Sequence, residues 1–104
     1  MITVVVNFPI PESMSLIDFK SRMMGSVPRY QAMPGLLRKN YMYDGQRHVA
    51  GGTYTFETKA QAEACFSAEF VKAVTAAYGK PEISYFETPI LVDNENKVVK
   101  EPAP

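Results

Sequence analysis

The order of apolar segments along the chain is the feature that most limits its fold. Segments rich in β-branched and aromatic residues predict strands at Ile2 to Phe8, Leu36 to Tyr43, Val49 to Glu57 and Glu82 to Val92. Apolar residues at helical spacing lie between the first and second strands and between the third and fourth. Two strand–helix–strand units that flank a hairpin favour a ferredoxin-like α+β fold, βαββαβ, with a four-stranded antiparallel sheet and both helices on one face.

Capping residues predict where the helices begin. Ser15 and Asp18 have the spacing of a capping box before the first helix. Thr58 and Gln61 have the same spacing before the second helix, and Ser67 offers a point at which that helix restarts.

Glycines occur in the turn and in the third strand of the central hairpin. Asp44-Gly45 predicts the turn between the second and third strands, because glycine accepts a positive φ. Gly51 and Gly52 lie inside the third strand, where residues without side chains weaken pairing. They predict a bulge, or a close approach by a ligand, a helix or another backbone.

Both faces of the first strand carry apolar residues. One face is wholly apolar and the other is half apolar: Ile2, Val4, Val6 and Phe8 against Thr3, Val5 and Asn7. Helices on one side leave the second face of the sheet open, so apolar residues there indicate that another chain covers it. We expect a homodimer that forms through the sheet faces.

Composition excludes several kinds of chemistry. Eleven basic and eleven acidic residues give a formal net charge of zero, which argues against nucleic acid as a partner because phosphate binding needs concentrated positive charge. One His and one Cys exclude a zinc site of Cys and His ligands, or a disulfide, within one chain. A lone cysteine favours a reducing compartment, the cytoplasm. No segment has the roughly 20 apolar residues of a membrane span, so no membrane partner is expected.

The length predicts one domain and a tail. A chain of 104 residues has room for a single core, which we place in residues 1–92. Residues 93–104 are rich in Asn, Lys and Glu and contain two prolines. This composition predicts a C-terminal tail outside the core.

Two segments carry a resemblance to a known family. Pro34-Gly35-Leu36-Leu37 is followed by His48-Val49-Ala50-Gly51-Gly52-Thr53-Tyr54-Thr55-Phe56 and then by a helix rich in alanine. The pattern His-x-Ala-Gly-Gly-x-Tyr-x-Phe is the most specific part. The chain thereby resembles the YdhR-like monooxygenases of the dimeric α+β barrel superfamily, which are related to the antibiotic-biosynthesis monooxygenases.

The resemblance implies a fold, an assembly and an activity. It implies a homodimer whose two sheets close into a barrel, with a pocket in each subunit between sheet and helices. It also implies oxidation of a small or polycyclic electron-rich aromatic, such as a quinol or phenol, by molecular oxygen with no flavin, haem, metal or other cofactor. Where family members can carry Trp in the second strand, this chain has Arg38 and Tyr41, a departure that concerns the substrate more than the fold.

His48 and Tyr54 are the candidate catalytic residues. Histidine is the usual general base near neutral pH, and such a base helps to deprotonate a substrate that then reduces oxygen. A tyrosine hydroxyl donates one hydrogen bond to a developing oxyanion. Strand alternation predicts that both side chains share a face. The structural alternatives are a hydrogen bond from His48 to the hairpin or the partner subunit, and aromatic packing by Tyr54.

Five further residues on the predicted strands are candidates for substrate binding: Asn7, Arg38, Tyr41, Phe56 and Tyr85. Aromatic rings line aromatic pockets, a guanidinium holds a phenolate or carboxylate, and an amide in an apolar strand suits a ligand contact or a water-filled cavity. The alternatives are packing of the rings at the sheet face or dimer interface, an ion pair of Arg38 with an acid such as Glu87, and an internal hydrogen bond of Asn7.

Two other classes of function stay open at this point. An isomerase, decarboxylase or cyclase would use the same proton-transfer groups on the same fold. A non-catalytic dimeric module would hold an apolar or aromatic small molecule in the pocket. Haem degradation also occurs on this fold, but the predicted position of His48 on a strand, rather than on a helix that faces the sheet, argues against it.

Overall fold

Four antiparallel strands form the main sheet. The computed structural model of the chain describes residues 1–102. The strands are β1 (Ile2–Pro9), β2 (Leu36–Asp44), β3 (Val49–Phe56) and β4 (Glu82–Glu87), in the order β2-β3-β1-β4. This order confirms the ferredoxin-like α+β prediction and places β3 and β1 at the centre of the sheet.

Four short helices pack on one face of the sheet. They are α1 (Leu16–Met24), α2 (Val27–Gln31), α3 (Lys59–Cys65) and α4 (Ala68–Ala77). Each of the two predicted helical regions is thus divided into two helices. Within residues 1–102, no helix has the length and apolar character needed to cross a membrane.

The helices α1 and α4 begin at the predicted capping residues, Ser15 and Ser67. The backbone amide of Asp18 donates to Ser15 Oγ at 3.1 Å, and the Ser15 amide donates back to Asp18 Oδ2 at 3.3 Å. The Phe70 amide donates to Ser67 Oγ, so Ser67 starts α4 as predicted.

The capping box predicted for α3 is only half formed. The Gln61 amide donates to Thr58 Oγ1 at 3.2 Å, but Gln61 Oε1 is buried and has no hydrogen-bond partner among residues 1–102. A Cβ added to Gly35 would lie 1.9 Å from that oxygen. The Gln61 side chain therefore packs over Gly35 instead of returning to the cap, and only a glycine leaves room for it.

The core lies between the sheet and the helices. Its members alternate along the strands and come together with residues of α1, of α3 and of the segments beside them: Ile2, Val4, Val6, Phe8, Ile10, Met14, Phe19, Ala50, Tyr54, Phe56, Ala62, Cys65 and Phe66. Val4, Val6 and Phe56 are fully enclosed. Burial of each such side chain stabilises the fold by about 1.5–3 kcal/mol. The second face of β1, which carries Thr3, Val5 and Asn7, is half-buried in the single chain.

The two central glycines permit a close approach of neighbouring backbone. A Cβ at Gly51 would lie 1.8 Å from the carbonyl oxygen of Val6, and one at Gly52 would lie 2.9 Å from that of Asn40. Pairing of β3 with β1 continues through both glycines without a bulge. Of the predicted alternatives, close approach by another backbone is the one found.

A bulge in β2 decides which residues face the helices. Leu36 pairs with Phe56 and packs on the core, whereas Arg38 pairs with the next residue, Thr55. The extra residue, Leu37, reverses the alternation. Strict alternation would place Leu36 and Arg38 on one face of β2; the bulge separates them, and Lys39 occupies the helix-facing position.

The predicted last strand, Glu82 to Val92, is wrong in its second half. Pairing in the main sheet ends at Glu87, and β5 (Leu91–Asp93) pairs with β6 (Val98–Lys100) in a separate hairpin. Asp93 stabilises the turn by accepting hydrogen bonds from two backbone amides. The predicted tail, residues 93–104, thus includes most of this hairpin, and residues 103–104 lie outside the described part.

Candidate active site

A cavity of about 560 Å³ lies between the sheet and the helices α2 and α4. Its sheet side includes Phe8, Lys39, Tyr41, Gly51 and Tyr54. Its helix side includes Ser26, Arg29, Tyr30, Phe70, Val74 and Ala77. An apolar cavity of this volume with a few convergent polar groups is typical of a small-molecule site.

The Lys39 ammonium lies among three tyrosine rings. Its Nζ is 3.9 Å from the ring centroid of Tyr30, 4.0 Å from that of Tyr54 and 4.1 Å from that of Tyr41. It also donates a hydrogen bond of 2.5 Å to the Tyr54 hydroxyl. Ring faces attract a cation, so the cluster holds the side chain in one position at the cavity wall.

Strand register brings this cluster together. Lys39 lies opposite Tyr54 across β2 and β3, and Tyr41 lies opposite Gly52. Directly opposite residues on one face are near neighbours. A Cβ at Gly52 would be 3.4 Å from Lys39 Nζ, so the glycine leaves space for the ammonium group over the sheet.

Burial changes the acid–base properties of the cluster. Desolvation lowers the pKa of Lys39 to about 7, and the positive charge of Arg29 acts in the same direction, whereas Cys65 opposes it. Burial raises the pKa of Tyr54 well above its usual value of 10, and it also raises the pKa of Tyr30. Near neutral pH, Lys39 is thus able to accept a proton, while Tyr54 and Tyr30 keep theirs and act as hydrogen-bond donors.

Hydrogen bonds hold the wall formed by Tyr41. The Ser26 hydroxyl donates to the Met23 carbonyl oxygen at 2.7 Å, so the Tyr41 hydroxyl donates to Ser26 Oγ, also at 2.7 Å. The Arg29 guanidinium lies 5.4 Å from the ring centroid of Tyr30. The Ser26–Tyr41 hydrogen bond links the start of α2 to β2, whereas the Arg29 contact lies within α2.

The structure brings two of the predicted site residues into the cavity wall, Tyr54 and Tyr41. Phe56 is fully enclosed and stacks beside Tyr54 with ring centroids 6.2 Å apart, so it supports the wall from the core. Tyr85 is on the helix-facing side of β4 but packs edge-on against Phe66, 6.2 Å between centroids, and does not line this cavity.

His48 lies outside the cavity. It occupies the turn before β3 with a φ of 55°, which removes it from the strand alternation that predicted a face shared with Tyr54. Its Nε2 is 3.9 Å from Glu12 Oε1, and its carbonyl oxygen accepts a hydrogen bond from the Ile10 amide at 2.9 Å. The structure therefore does not bring His48 and Tyr54 together.

Arg38 and Asn7 lie on the face of the sheet that carries no helices. Arg38 Nη2 is 3.5 Å from Glu95 Oε1 in the β5–β6 turn, instead of pairing with Glu87. Asn7 lies between Gly51 and Glu82 in the register of β1. Neither side chain lines the cavity of about 560 Å³, although Arg38 borders a neighbouring cavity of about 460 Å³ together with Lys39.

Lys39 and Tyr30 are absent from the residues predicted from the sequence. For Lys39 a signal exists, because it alternates with Tyr41 and Tyr43 and is the charged member of an otherwise aromatic face. Tyr30 lies on the five-residue helix α2, which is too short for a periodic pattern. Within residues 1–102, no three His, Cys, Asp or Glu side chains lie close enough to share a metal ion.

Comparison with known proteins gives a family match and several structural neighbours. Residues 3–90 match the family model described as "Putative mono-oxygenase ydhR". The fold is similar to that of a monooxygenase from the gene ActVA-Orf6 of Streptomyces coelicolor, which was solved in complex with nanaomycin D. The two structures align with a TM-score of 0.65 and 19% sequence identity, and the alignment covers 84% of this chain and 86% of that chain.

Two further solved structures have the same fold. SnoaB from Streptomyces nogalater, a cofactor-independent oxygenase solved as a mutant, aligns with a TM-score of 0.60, 16% identity, and coverage of 84% and 91%. The NE2512 protein of Nitrosomonas europaea, of unknown function, aligns with a TM-score of 0.67, 16% identity, and coverage of 84% and 87%. No curated protein matches the sequence. At these identities the structural neighbours establish the fold.

Proposed function

The chain belongs to the family described as "Putative mono-oxygenase ydhR", and on this basis we propose that it oxidises an electron-rich aromatic substrate of the quinol or phenol type with molecular oxygen. The family match and the oxygenases that share the fold support a monooxygenase-like function. The observation that carries the finer proposal is the Lys39–Tyr54 hydrogen bond at the wall of an aromatic cavity.

The cavity suits a flat, weakly acidic ligand. Tyr30, Tyr41 and Phe70 offer ring surfaces, and offset or edge-on ring contacts contribute about 0.5–1.5 kcal/mol each beyond area burial. In the proposed complex, the substrate hydroxyl points to Lys39, so that an ionised substrate is paired with the ammonium group.

Lys39 acts as the base in the proposed reaction. Its neutral amine takes a proton from the substrate, and the resulting anion transfers an electron to oxygen. The two radicals combine to form a carbon–oxygen bond, which gives a peroxide. The O–O bond then breaks as a carbonyl group forms, and water leaves. For anthrone, one oxygen atom becomes the new carbonyl and the other leaves as water with the two methylene hydrogens.

Tyr54 supports the same steps through its hydroxyl group. It hydrogen-bonds the Lys39 amine, and its raised pKa keeps it protonated as a donor. A preorganised donor in an enclosed site stabilises developing negative charge on the peroxide oxygen. Lys39 and Tyr54 thus have separate roles, proton acceptor and hydrogen-bond donor.

The proposed reaction uses no cofactor, because the substrate anion itself supplies the electrons. SnoaB, which shares the fold, is described as a cofactor-independent oxygenase, and we extend that property to this chain. The ultraviolet–visible spectrum of the purified protein tests it. Absorption by protein alone agrees with the proposal, whereas a stoichiometric flavin or Soret band contradicts it.

We also propose a homodimer that forms through the helix-free face of the sheet. Val5, Met42 and Val49 are partly buried on this face, and Phe86 is 56% exposed there. Apolar side chains on a face that no helix covers suit contact with the same face of a second copy of the chain. We place the protein in the cytoplasm, because a single cysteine, Cys65, suits a reducing compartment.

Oxygen uptake and isotope incorporation test the oxygenase proposal together. The protein is incubated with a panel of anthrones, quinols and flavonols under heavy-isotope oxygen gas. We expect at least one substrate to consume oxygen above its uncatalysed rate and to yield a product that carries one labelled oxygen atom. The proposal is wrong if no substrate is oxidised faster than in buffer, or if the new oxygen atom comes from water.

A further inference from the structure

The cavity also contains the parts of a carbonyl-condensing site, and we propose that Lys39 forms an imine with small aromatic aldehydes and ketones. This activity is independent of oxygen and goes beyond the proposed oxygenase reaction. The geometry that points to it is an amine at the cavity wall, hydrogen-bonded at 2.5 Å to a tyrosine hydroxyl that lines the same cavity.

Lys39 differs from every other lysine of the chain in its surroundings. The others are all exposed: Lys20, Lys59, Lys72, Lys80, Lys97 and Lys100. Lys39 is half-buried, and burial lowers its pKa to about 7. A neutral amine is the nucleophile in imine formation, and desolvation in an apolar pocket is a known means of producing one near neutral pH.

The groups that face Lys39 leave its amine available. They are Tyr41 on β2, Tyr54 on β3, Tyr30 and Arg29 on α2, and Cys65 on α3. Within residues 1–102, no carboxylate lies within ion-pair distance of Lys39, whereas Arg38, its neighbour in sequence, pairs with Glu95. The amine is therefore not committed to a structural ion pair.

Tyr54 supplies the proton that imine formation requires. The Lys39 nitrogen adds to the carbonyl carbon and forms a carbinolamine. The Tyr54 hydroxyl relays the proton that the nitrogen loses to the departing hydroxyl group, which leaves as water, so that no free phenolate forms. One amine and one carbonyl group thus give one imine and one water, with no change of oxidation state.

Reductive trapping tests this proposal on the full-length protein under nitrogen at pH 7. Benzaldehyde is the probe, sodium cyanoborohydride reduces the imine, and mass spectrometry of peptides identifies the labelled lysine. We expect one benzyl group on Lys39, added more than about tenfold faster than on any exposed lysine, because only Lys39 lies at an apolar cavity beside a hydroxyl group that assists the loss of water. The Lys72→Met variant should label like the wild type, and Lys39→Arg should lose the fast label.

The pH dependence of labelling distinguishes a lysine whose pKa is lowered by its site from a lysine that is merely exposed. The ratio of the label on Lys39 to the label on the exposed Lys72 should stay level up to pH about 7 and fall above it, because the neutral fraction of Lys39 stops growing there. Tyr54→Phe should slow trapping at Lys39 without moving the label. Equal labelling of all lysines in the wild type overturns the proposal even if the variants fail to fold. Because oxygen is absent, this result is independent of the oxygenase test.

Discussion

The Lys39 amine nitrogen lies 2.5 Å from the hydroxyl oxygen of Tyr54, its direct neighbour across β2 and β3. Burial moves the two pKa values in opposite directions, down for the lysine and up for the tyrosine. In solution the two groups titrate in the same range, near pH 10. In the cavity, one becomes a base near neutral pH and the other stays a hydrogen-bond donor.

The oxidation rate should depend on the protonation state of Lys39. Because the neutral amine is the base, kcat/KM should rise with pH through about 7 and then level off. The measurement is initial oxygen uptake from pH 5.5 to 9, with substrates whose own pKa lies outside this range. A rate that falls as pH rises through 7 would show that the ammonium form is the active one.

Removal of the Tyr54 hydroxyl should cost stability as well as rate. Hydrogen bonds to charged groups contribute about 1.5–3 kcal/mol, against about 0.5–1.5 kcal/mol for neutral pairs. Tyr54→Phe should therefore lower the free energy of unfolding in urea at pH 6 more than Tyr41→Phe, which loses only the bond to Ser26. Equal losses of unfolding free energy in the two variants would mean that the Lys39–Tyr54 hydrogen bond stabilises the fold no more than the neutral Tyr41–Ser26 bond.

Stability should change with pH in a way that depends on Lys39. Its pKa in the folded protein is below its value in the unfolded chain, so between pH about 7 and 10 the unfolded chain binds more protons. The wild type should therefore gain stability relative to Lys39→Met as pH rises through this window. Urea denaturation of both proteins at pH 6.5 and 9.5 measures the difference. A constant difference would contradict the lowered pKa.

Gly51 in β3 and Gly25 at the end of α1 should tolerate substitution by alanine differently. At Gly51 a Cβ would overlap the backbone oxygen of Val6, whereas at Gly25 its nearest contact, with the Arg22 carbonyl oxygen, is 3.4 Å. We expect Gly51→Ala to lose about 3 kcal/mol or more, or to fail to fold, and Gly25→Ala to stay near the wild type. Thermal unfolding followed by circular dichroism compares them, and a stable Gly51→Ala protein would contradict the register of β1 and β3.

A charge on the helix-free face should separate the proposed dimer. Val5 lies on that face and Ile17 is 80% exposed on α1, so Val5→Lys should dissociate the dimer and Ile17→Lys should not. Sedimentation equilibrium at micromolar concentration reads the mass directly. A wild-type mass near that of one 11.6 kDa chain would refute the dimer.

The sequence predicted the fold better than the site, and particular residues show why. Apolar periodicity and the caps Ser15 and Ser67 are local signals, and each appears in the structure. The face of Arg38 depends on a bulge, and the location of His48 depends on a positive φ, neither of which alternation alone reveals. The low pKa of Lys39 depends on its burial in the folded protein and on the charge of Arg29 in α2, so it emerges only once the chain is folded.

The most direct test of the account is oxygen uptake by the wild type, Lys39→Met and Lys72→Met with one substrate chosen from the panel at pH 8. General base catalysis contributes about 100-fold to 10,000-fold. We predict that Lys39→Met loses at least about 100-fold in kcat while retaining the wild-type circular dichroism spectrum, and that Lys72→Met is unchanged. Full activity of a folded Lys39→Met protein would contradict the central role of Lys39.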